Sequence, residues 1–366
     1  MLRPRAHLVD ITRTGQSWGS RADILRLDMN ELVPDLGQAA FSAIVARMRP
    51  STFSAYPEVN ALYCKLAAHL GKKVENIVLT SGSDAGIRQT IETFCDPGDE
   101  MLIVHPTYGM YEVYARIFNL TCSRVACRPD FAVDIGELMR SLDRDIKLLA
   151  IANPNGVLGL KIQPAALEPV IRKASERGTT VLLDEAYVEF NDDGWGNRID
   201  EFDNLVLART FSKAGGLAGL RIGYLLSNEI MRGWLYRVKP VVETNTIAIL
   251  AADYLLDHPE VMAGFVTGTD LGRTYLSSTL TGLGFEVHPG HANFVLVDFG
   301  AHRAAIVAEL QRRRIVVRDY GGDDFWSRFT RITLGDPTVM SLVVDAVECA
   351  VAQDAVRAPI ISEVAS

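Results

Sequence analysis

The chain has 366 residues, long enough for one large core and a smaller lobe. Its 48% hydrophobic and 22% charged residues argue against extended disorder, and a formal charge of −8 gives no basic surface for nucleic acid. No segment approaches the roughly 20 apolar residues of a membrane span.

The start, Met1 to Asp10, carries arginines with no apolar stretch after them, so no export signal is expected. Segment 1–48 is expected to pack across both lobes. From about Asn76 to Leu226, short apolar runs alternate with helical patterns: Ile77 to Thr80, Met101 to Val104, Lys147 to Ala152, Val181 to Leu183, Leu205 to Ala208 and Arg221 to Leu226. Alternating strands and helices predict an α/β domain, 49–240, built on a mainly parallel sheet with ligands at the carboxyl ends of its strands.

After Ser227 helical patterns run over Glu229 to Lys239, Thr246 to Asp257 and Gly264 to Leu283. Strands follow at Asn293 to Asp298, Ile315 to Val317 and Arg328 to Leu334, with helices at Ala304 to Arg313 and Val339 to Val351. This predicts a smaller α+β domain, 241–353, completed by the N-terminal segment, and a dispensable tail, 354–366. The Arg312-Arg313-Arg314 run reads as a solvated helix end. Five cysteines (Cys64, Cys95, Cys122, Cys127, Cys349) lack C-x-x-C spacing and point to a reduced, cytoplasmic setting. His288 and His291 lack further ligands near them, so no metal is expected.

Chemistry concentrates where the apolar runs end. In Arg209-Thr-Phe-Ser-Lys-Ala-Gly-Gly-Leu-Ala-Gly-Leu-Arg221, Lys213 follows a strand and is suited to form an imine with an aldehyde cofactor. Ser212 and Arg221 are suited to a phosphate. Asp184, just beyond Val181 to Leu183, is placed to keep a pyridine nitrogen protonated and the ring an electron sink. Tyr187 is placed to donate to a ring hydroxyl. Thr80-Ser-Gly-Ser-Asp-Ala-Gly86 joins a strand to a helix beginning near Asp84 and offers free N–H groups to a phosphate. Tyr108, in His105-Pro-Thr-Tyr-Gly-Met-Tyr111, is suited to stack on a planar ring, although taken alone such a tyrosine is more often ordinary packing.

Together and in this order, over roughly Leu27 to Val351, these motifs resemble the fold-type-I (class I/II) pyridoxal-phosphate aminotransferases, and within them the histidinol-phosphate aminotransferase group. The resemblance implies an α/β, aspartate aminotransferase-like PLP-dependent transferase fold and pyridoxal 5'-phosphate as cofactor. It implies Lys213 as imine lysine and proton shuttle, Asp184 as pyridine partner and Tyr187 as ring-hydroxyl donor. The backbone of Ser83 and Asp84, with Ser212 and Arg221, would hold the phosphate, Tyr108 would stack, and Tyr56 would reach the neighbouring subunit's phosphate in a homodimer. Arg331, in Arg328-Phe-Thr-Arg331, would clamp the substrate's acidic group, with Arg318 as a second substrate-side arginine.

The chain departs from the family pattern in Asn153-Pro-Asn-Gly-Val-Leu-Gly159. Gly156 stands where the family's asparagine donates to the ring hydroxyl, which leaves Asn155 as a substitute or Tyr187 serving alone. The substrate side also differs. Asn30 and Glu31 open a shortened Asn30-Glu-Leu-Val-Pro34 segment, and Glu243 stands near a position the family fills with an aromatic. Glu243, with Glu31 or Asp28, is expected to meet a cationic side chain.

The expected function is transfer of an amino group between an amino acid, or a histidinol-phosphate-like amine, and a 2-oxo acid. The alternatives are a specialised pathway enzyme acting on a cationic, arginine-like amino acid by elimination with cyclisation, decarboxylation or oxidation, and a non-catalytic cofactor-binding protein. None involves nucleic acid or membrane.

Overall fold

A computed structural model describes residues 4–9, 11, 21–191, 194–320 and 325–357. In chain order its elements are β1 (Leu25–Leu27), α1 (Gln38–Ala46), α2 (Asn60–Leu70), β2 (Ile77–Thr80), α3 (Gly82–Phe94), β3 (Glu100–His105), α4 (Met110–Ile117), β4 (Thr121–Ala126), α5 (Ile135–Ser141), β5 (Ile146–Ala152), α6 (Pro164–Glu176), β6 (Thr180–Asp184), β7 (Leu205–Thr210) and β8 (Gly223–Ser227). They continue with α7 (Glu229–Val238), α8 (Thr246–Asp257), α9 (Pro259–Gly282), β9 (Glu286–His288), β10 (Phe294–Asp298), α10 (Arg303–Arg312), β11 (Ile315–Asp319), β12 (Phe329–Thr333) and α11 (Pro337–Arg357). Of the tail expected at 354–366, residues 358–366 lie outside the described residues.

By its internal contacts the chain forms two compact units, Met1–Gln16 with Asp35–Val266, and Ser17–Pro34 with Thr267–Ser366. The first keeps α8, which the sequence reading groups with the small domain. The reason is local: α8 buries Ala248, Ala251, Ala252 and Leu255. Its Asp253 and Asp257 also take ion pairs from Arg47, just past α1, and from Lys65 of α2.

The first unit holds a seven-stranded sheet in the order β2-β8-β7-β6-β5-β3-β4. Neighbours pair in parallel from β7 through β4, and β8 alone runs against both of its neighbours. Its central strands β6 and β7 are buried along their whole length, as expected of parallel strands covered on both faces. One face carries a core cluster that includes Ile87, Ile91, Tyr111, Leu182, Val206 and Leu225. At about 25 cal/mol per Å² of apolar surface buried, each such aliphatic side chain favours folding by roughly 1.5–3 kcal/mol.

β4 escaped the sequence reading because it is an edge strand, Thr-Cys-Ser-Arg-Val-Ala, with only Val125 fully buried. The second unit holds a five-stranded sheet, β1-β11-β12-β10-β9, whose outer strands β1 and β9 have three residues each. That is too short to show a period of two. α9 begins at Pro259 rather than near Gly264, because proline suits the first turn of a helix, where its missing N–H has no partner to lose.

Candidate active site

Strand register gathers the polar residues that follow the apolar runs. Thr80 pairs with Gly223 and Gly223 with Thr210, while Ala152 pairs with Asp184 and Asp184 with Ala208. The ends of β2, β5, β6 and β7 therefore lie along one edge of one sheet. Lys213, Asp184, Tyr187, Asn155 and the start of α3 all follow from those ends.

The cradle at α3 is tight. The helix opens at Gly82, with φ +80°, two residues earlier than its sequence suggests. A Cβ on Gly82 would lie 2.7 Å from Arg221 Nη2, and one on Gly223 would lie 2.8 Å from the Ser83 nitrogen. Glycine at both positions lets backbone N–H groups and the Arg221 guanidinium crowd together. The first-turn N–H groups, Ser83 and Asp84 among them, have no partner within the helix ladder and carry its positive end. Arg221 itself holds a left-handed conformation, φ 55°. Ser212 is buried, its hydroxyl accepting from Thr210 Oγ1 at 2.9 Å and its N–H donating to the same oxygen at 3.1 Å.

Asp184 is buried at the end of β6 and accepts from Tyr111 Oη at 2.9 Å and from the Ala186 N–H at 3.1 Å. Burial raises its pKa to about 6, against the lowering effects of Tyr111, the Ala186 N–H and the Lys213 charge. Tyr111 was not singled out from sequence. It looks like one more apolar position of α4, and its partner is 73 residues away. On the same segment, Tyr108 and Tyr114 donate to the two oxygens of Asp84, at 3.1 and 2.9 Å. The Tyr108 ring stands perpendicular to Tyr111, with centroids 5.9 Å apart, and is 39% exposed.

Tyr187 follows Asp184 by a turn anchored on Glu185. Glu185 accepts from Arg209 Nε and from the Trp195 N–H, both at 2.7 Å. The Lys213 ammonium lies 5.4 Å from the centre of the Tyr187 ring. This Glu185–Arg209 pair is a second feature missed in the sequence. Its charges read as ordinary helix-end or surface residues until β6 and β7 are seen side by side.

Asn155 is tied into its own loop. It is 1% exposed, its Nδ2 donates to the Pro106 carbonyl at 2.9 Å, and its Oδ1 accepts the N–H groups of Val157 and Leu158 at 2.8 and 3.0 Å. Both ends of the amide are committed to holding the loop.

The carboxylates of the expected cationic subsite have partners within the chain. Glu243 is buried in the first unit, with Lys239 Nζ at 2.9 Å and Tyr63 Oη at 3.2 Å. In the second unit Arg26 pairs with Glu31, and Arg21 with Asp28 at 2.6 Å. Each carboxylate already faces a cation of this chain.

Arg318 and Arg331 pair across β11 and β12. The Arg331 guanidinium donates to the Asp28 carbonyl at 2.8 Å and lies over the rings of Phe294 and Tyr320, at 5.2 and 5.7 Å, while Arg318 lies 5.6 Å from Tyr320. Asn30, buried with φ 57°, donates its N–H to Thr333 Oγ1 at 3.0 Å and accepts from Asn293 at 3.1 Å, which ties the segment after β1 to β12. Tyr56 is 88% exposed. His288 sits 2.8 Å from Glu286, and among the described residues no group of three His, Cys, Asp or Glu is arranged to hold a metal ion.

Residues 22–347 match the family described as aminotransferase class I and II. The chain belongs to that family. It is accordingly an enzyme that uses pyridoxal 5'-phosphate to transfer amino groups, on an aspartate aminotransferase-like fold. The alternatives of a non-transaminating enzyme and of a non-catalytic cofactor-binding protein are not favoured.

Among its relatives, a histidinol-phosphate aminotransferase of Thermococcus gammatolerans is 32% identical over 326 residues, covering 88% of this chain and 91% of the relative. One of Thermococcus kodakarensis is 33% identical, covering 81% and 84%. The crystal structure of histidinol-phosphate aminotransferase from Sinorhizobium meliloti in complex with pyridoxal-5'-phosphate superposes with a TM-score of 0.80 at 26% identity, covering 90% of this chain and 91% of that one. These residues fit the cofactor: a buried acid suited to the ring nitrogen, a lysine close to Tyr187, and a glycine-lined cradle of N–H groups and a guanidinium suited to the phosphate.

Proposed function

We propose that this aminotransferase takes an amine donor bearing an anionic group, of the histidinol-phosphate or α-amino-acid type, and passes its amino group to a 2-oxo acid. The observation that carries the substrate reading is the Arg318–Arg331 pair on adjacent strands, beside Asp28, whose carboxylate is already matched by Arg21. A net positive pair recognises carboxylate or phosphate, and Arg331, oriented by the Asp28 carbonyl and two aromatic rings, suits a bidentate grip.

When bound, pyridoxal phosphate supplies a sink for the negative charge that develops at the donor's α-carbon. The Lys213 amine tethers it and moves the α-proton. Asp184 keeps its negative charge against the ring nitrogen, and the Tyr111 hydroxyl holds that carboxylate in place. The N–H groups of Ser83 and Asp84, the Ser212 hydroxyl and Arg221 take the phosphate, and Tyr108, steadied by Asp84, stacks on the ring. Tyr187 donates to the ring oxygen. The enzyme works as a homodimer in which Tyr56, exposed in a single chain, completes the neighbour's phosphate site. Five free cysteines support a reducing, cytoplasmic setting.

Steady-state kinetics of Arg331→Gln with histidinol phosphate, glutamate and arginine as donors test the substrate reading. Loss of a charge-assisted bidentate contact, worth about 1.5–3 kcal/mol, raises KM for the preferred anionic donor by roughly 10–100-fold. An unchanged KM, or preference for arginine over both anionic donors, contradicts it.

A further inference from the structure

Gly156 is a glycine for its neighbour's sake. It lies outside the left-handed region that favours glycine, so its φ does not call for one. Space would not. A Cβ built at 156 lies 2.9 Å from Tyr187 Cε2 and 3.2 Å from Tyr187 Oη. The Tyr187 ring therefore occupies the volume into which a side chain at 156 would project. The loop is not free to retreat, because Asn155 pins it to Pro106, Val157 and Leu158, and its own N–H donates to the Leu160 carbonyl at 2.8 Å. Tyr187 is held from the other side by the Glu185 turn, with Lys213 over its ring.

We propose that Gly156 is a positioning residue: by carrying no side chain it seats Tyr187 in the space of the missing amide, so that the tyrosine hydroxyl alone sets the basicity of the nitrogen of Lys213. The inference rests on the proposed role of Tyr187 as donor to the cofactor's ring oxygen. A donor on that oxygen withdraws charge from it and weakens its hold on the proton of the neighbouring nitrogen. Displacing the only donor moves that nitrogen's titration upward. In this chain Gly156 and Tyr187 act as one unit, and substitutions at the two positions are not additive.

Two measurements on the full chain test this. The first is the melting temperature of the cofactor-free protein. Gly156→Ala lowers it by a few degrees in the wild-type background and by much less in Tyr187→Ala, where the ring is gone. Equal losses in both backgrounds, or failure of the double variant to fold, overturn the steric claim. Neither depends on the cofactor reading.

The second is the pH midpoint of the visible absorption band of the loaded enzyme. Tyr187→Phe and Gly156→Ala each shift it upward, by roughly half a unit or more, and the double variant shifts no further than Tyr187→Phe alone. A Gly156→Ala midpoint equal to wild type, or additive shifts, overturns the proposal. A Tyr187→Phe midpoint equal to wild type instead removes the donor role on which it rests.

Discussion

Asp184 carries a pH signature that can be read without any substrate. Its carboxyl titrates near 6 in the folded chain against an ordinary value of 3.8, because burial disfavours the charge. A carboxyl raised in this way stabilises the fold while protonated. That contribution is complete below the ordinary value and is lost as the pH rises through about 6. Asp184→Asn should therefore make the cofactor-free protein more stable than wild type at pH 8, by at most about 3 kcal/mol, and the gain should shrink towards pH 5. Urea melts at the two pH values check it, and a gain independent of pH would contradict it. Glu189, half-buried beside Arg209 and Glu185, is pushed up to about 7 and titrates over a similar window. Only the difference between variant and wild type isolates Asp184. Also at this scale, Glu243→Gln should leave discrimination between cationic and neutral amino acids unchanged. It should cost stability instead, by about 2–4 kcal/mol, since partly buried Lys239 loses its counter-charge. Altered discrimination in that variant would restore the cationic-subsite reading. Lys213 and Asp184 stood out in the sequence because their chemistry is tied to strand ends a few residues away. Tyr111 and the carboxylate pairings did not, since they rest on contacts between distant segments.

The loop after β5 and the tyrosines of α4 show how elements fix the site. Asn155 satisfies two backbone N–H groups and one carbonyl in a buried place, so Asn155→Ala leaves all three without it. The expected cost is about 2–4 kcal/mol, read as a lowered urea midpoint with unchanged slope. A loss below 0.5 kcal/mol would show that the loop is held otherwise. α4 presents Tyr111 and Tyr114, three residues apart on one face, and with Tyr108 before it ties two acids of separate strand ends to one helix. Central strands were legible because burial on both faces leaves unbroken apolar runs. β1, β4 and β9 were not, because edge strands have little apolar pattern to show. The glycine motif at 80–86 announced a turn, but the closeness of Arg221 to Gly82 follows only from pairing β2 with β8.

At the scale of the whole molecule, Tyr56 is 88% and Phe53 73% exposed in a single chain, and the proposed homodimer would place Tyr56 at a neighbour's site. If Tyr56 completes the partner's site, mixing Lys213→Ala with Tyr56→Ala protein under exchange conditions should recover activity that neither has alone. The hybrid dimer keeps one site with both residues intact. No recovery, with exchange shown by mass, would contradict the shared site. The change of pattern after Ser227 marks where the last strand of the seven-stranded sheet gives way to helices α7, α8 and α9. The place of α8 was not legible in the sequence, since ion pairs from Arg47 and Lys65 decide it.

We propose that Lys213, Asp184 and the α3 cradle form a working transaminase site. It is tested most directly by adding one donor at a time, without oxygen, to the loaded enzyme and to Lys213→Ala. Wild type should release one equivalent of 2-oxo product per site and leave the cofactor in its amine form, while Lys213→Ala loses both that reaction and any borohydride-reducible bond to the cofactor. Product formed with the cofactor unchanged, or a reducible bond retained in Lys213→Ala, would contradict the account.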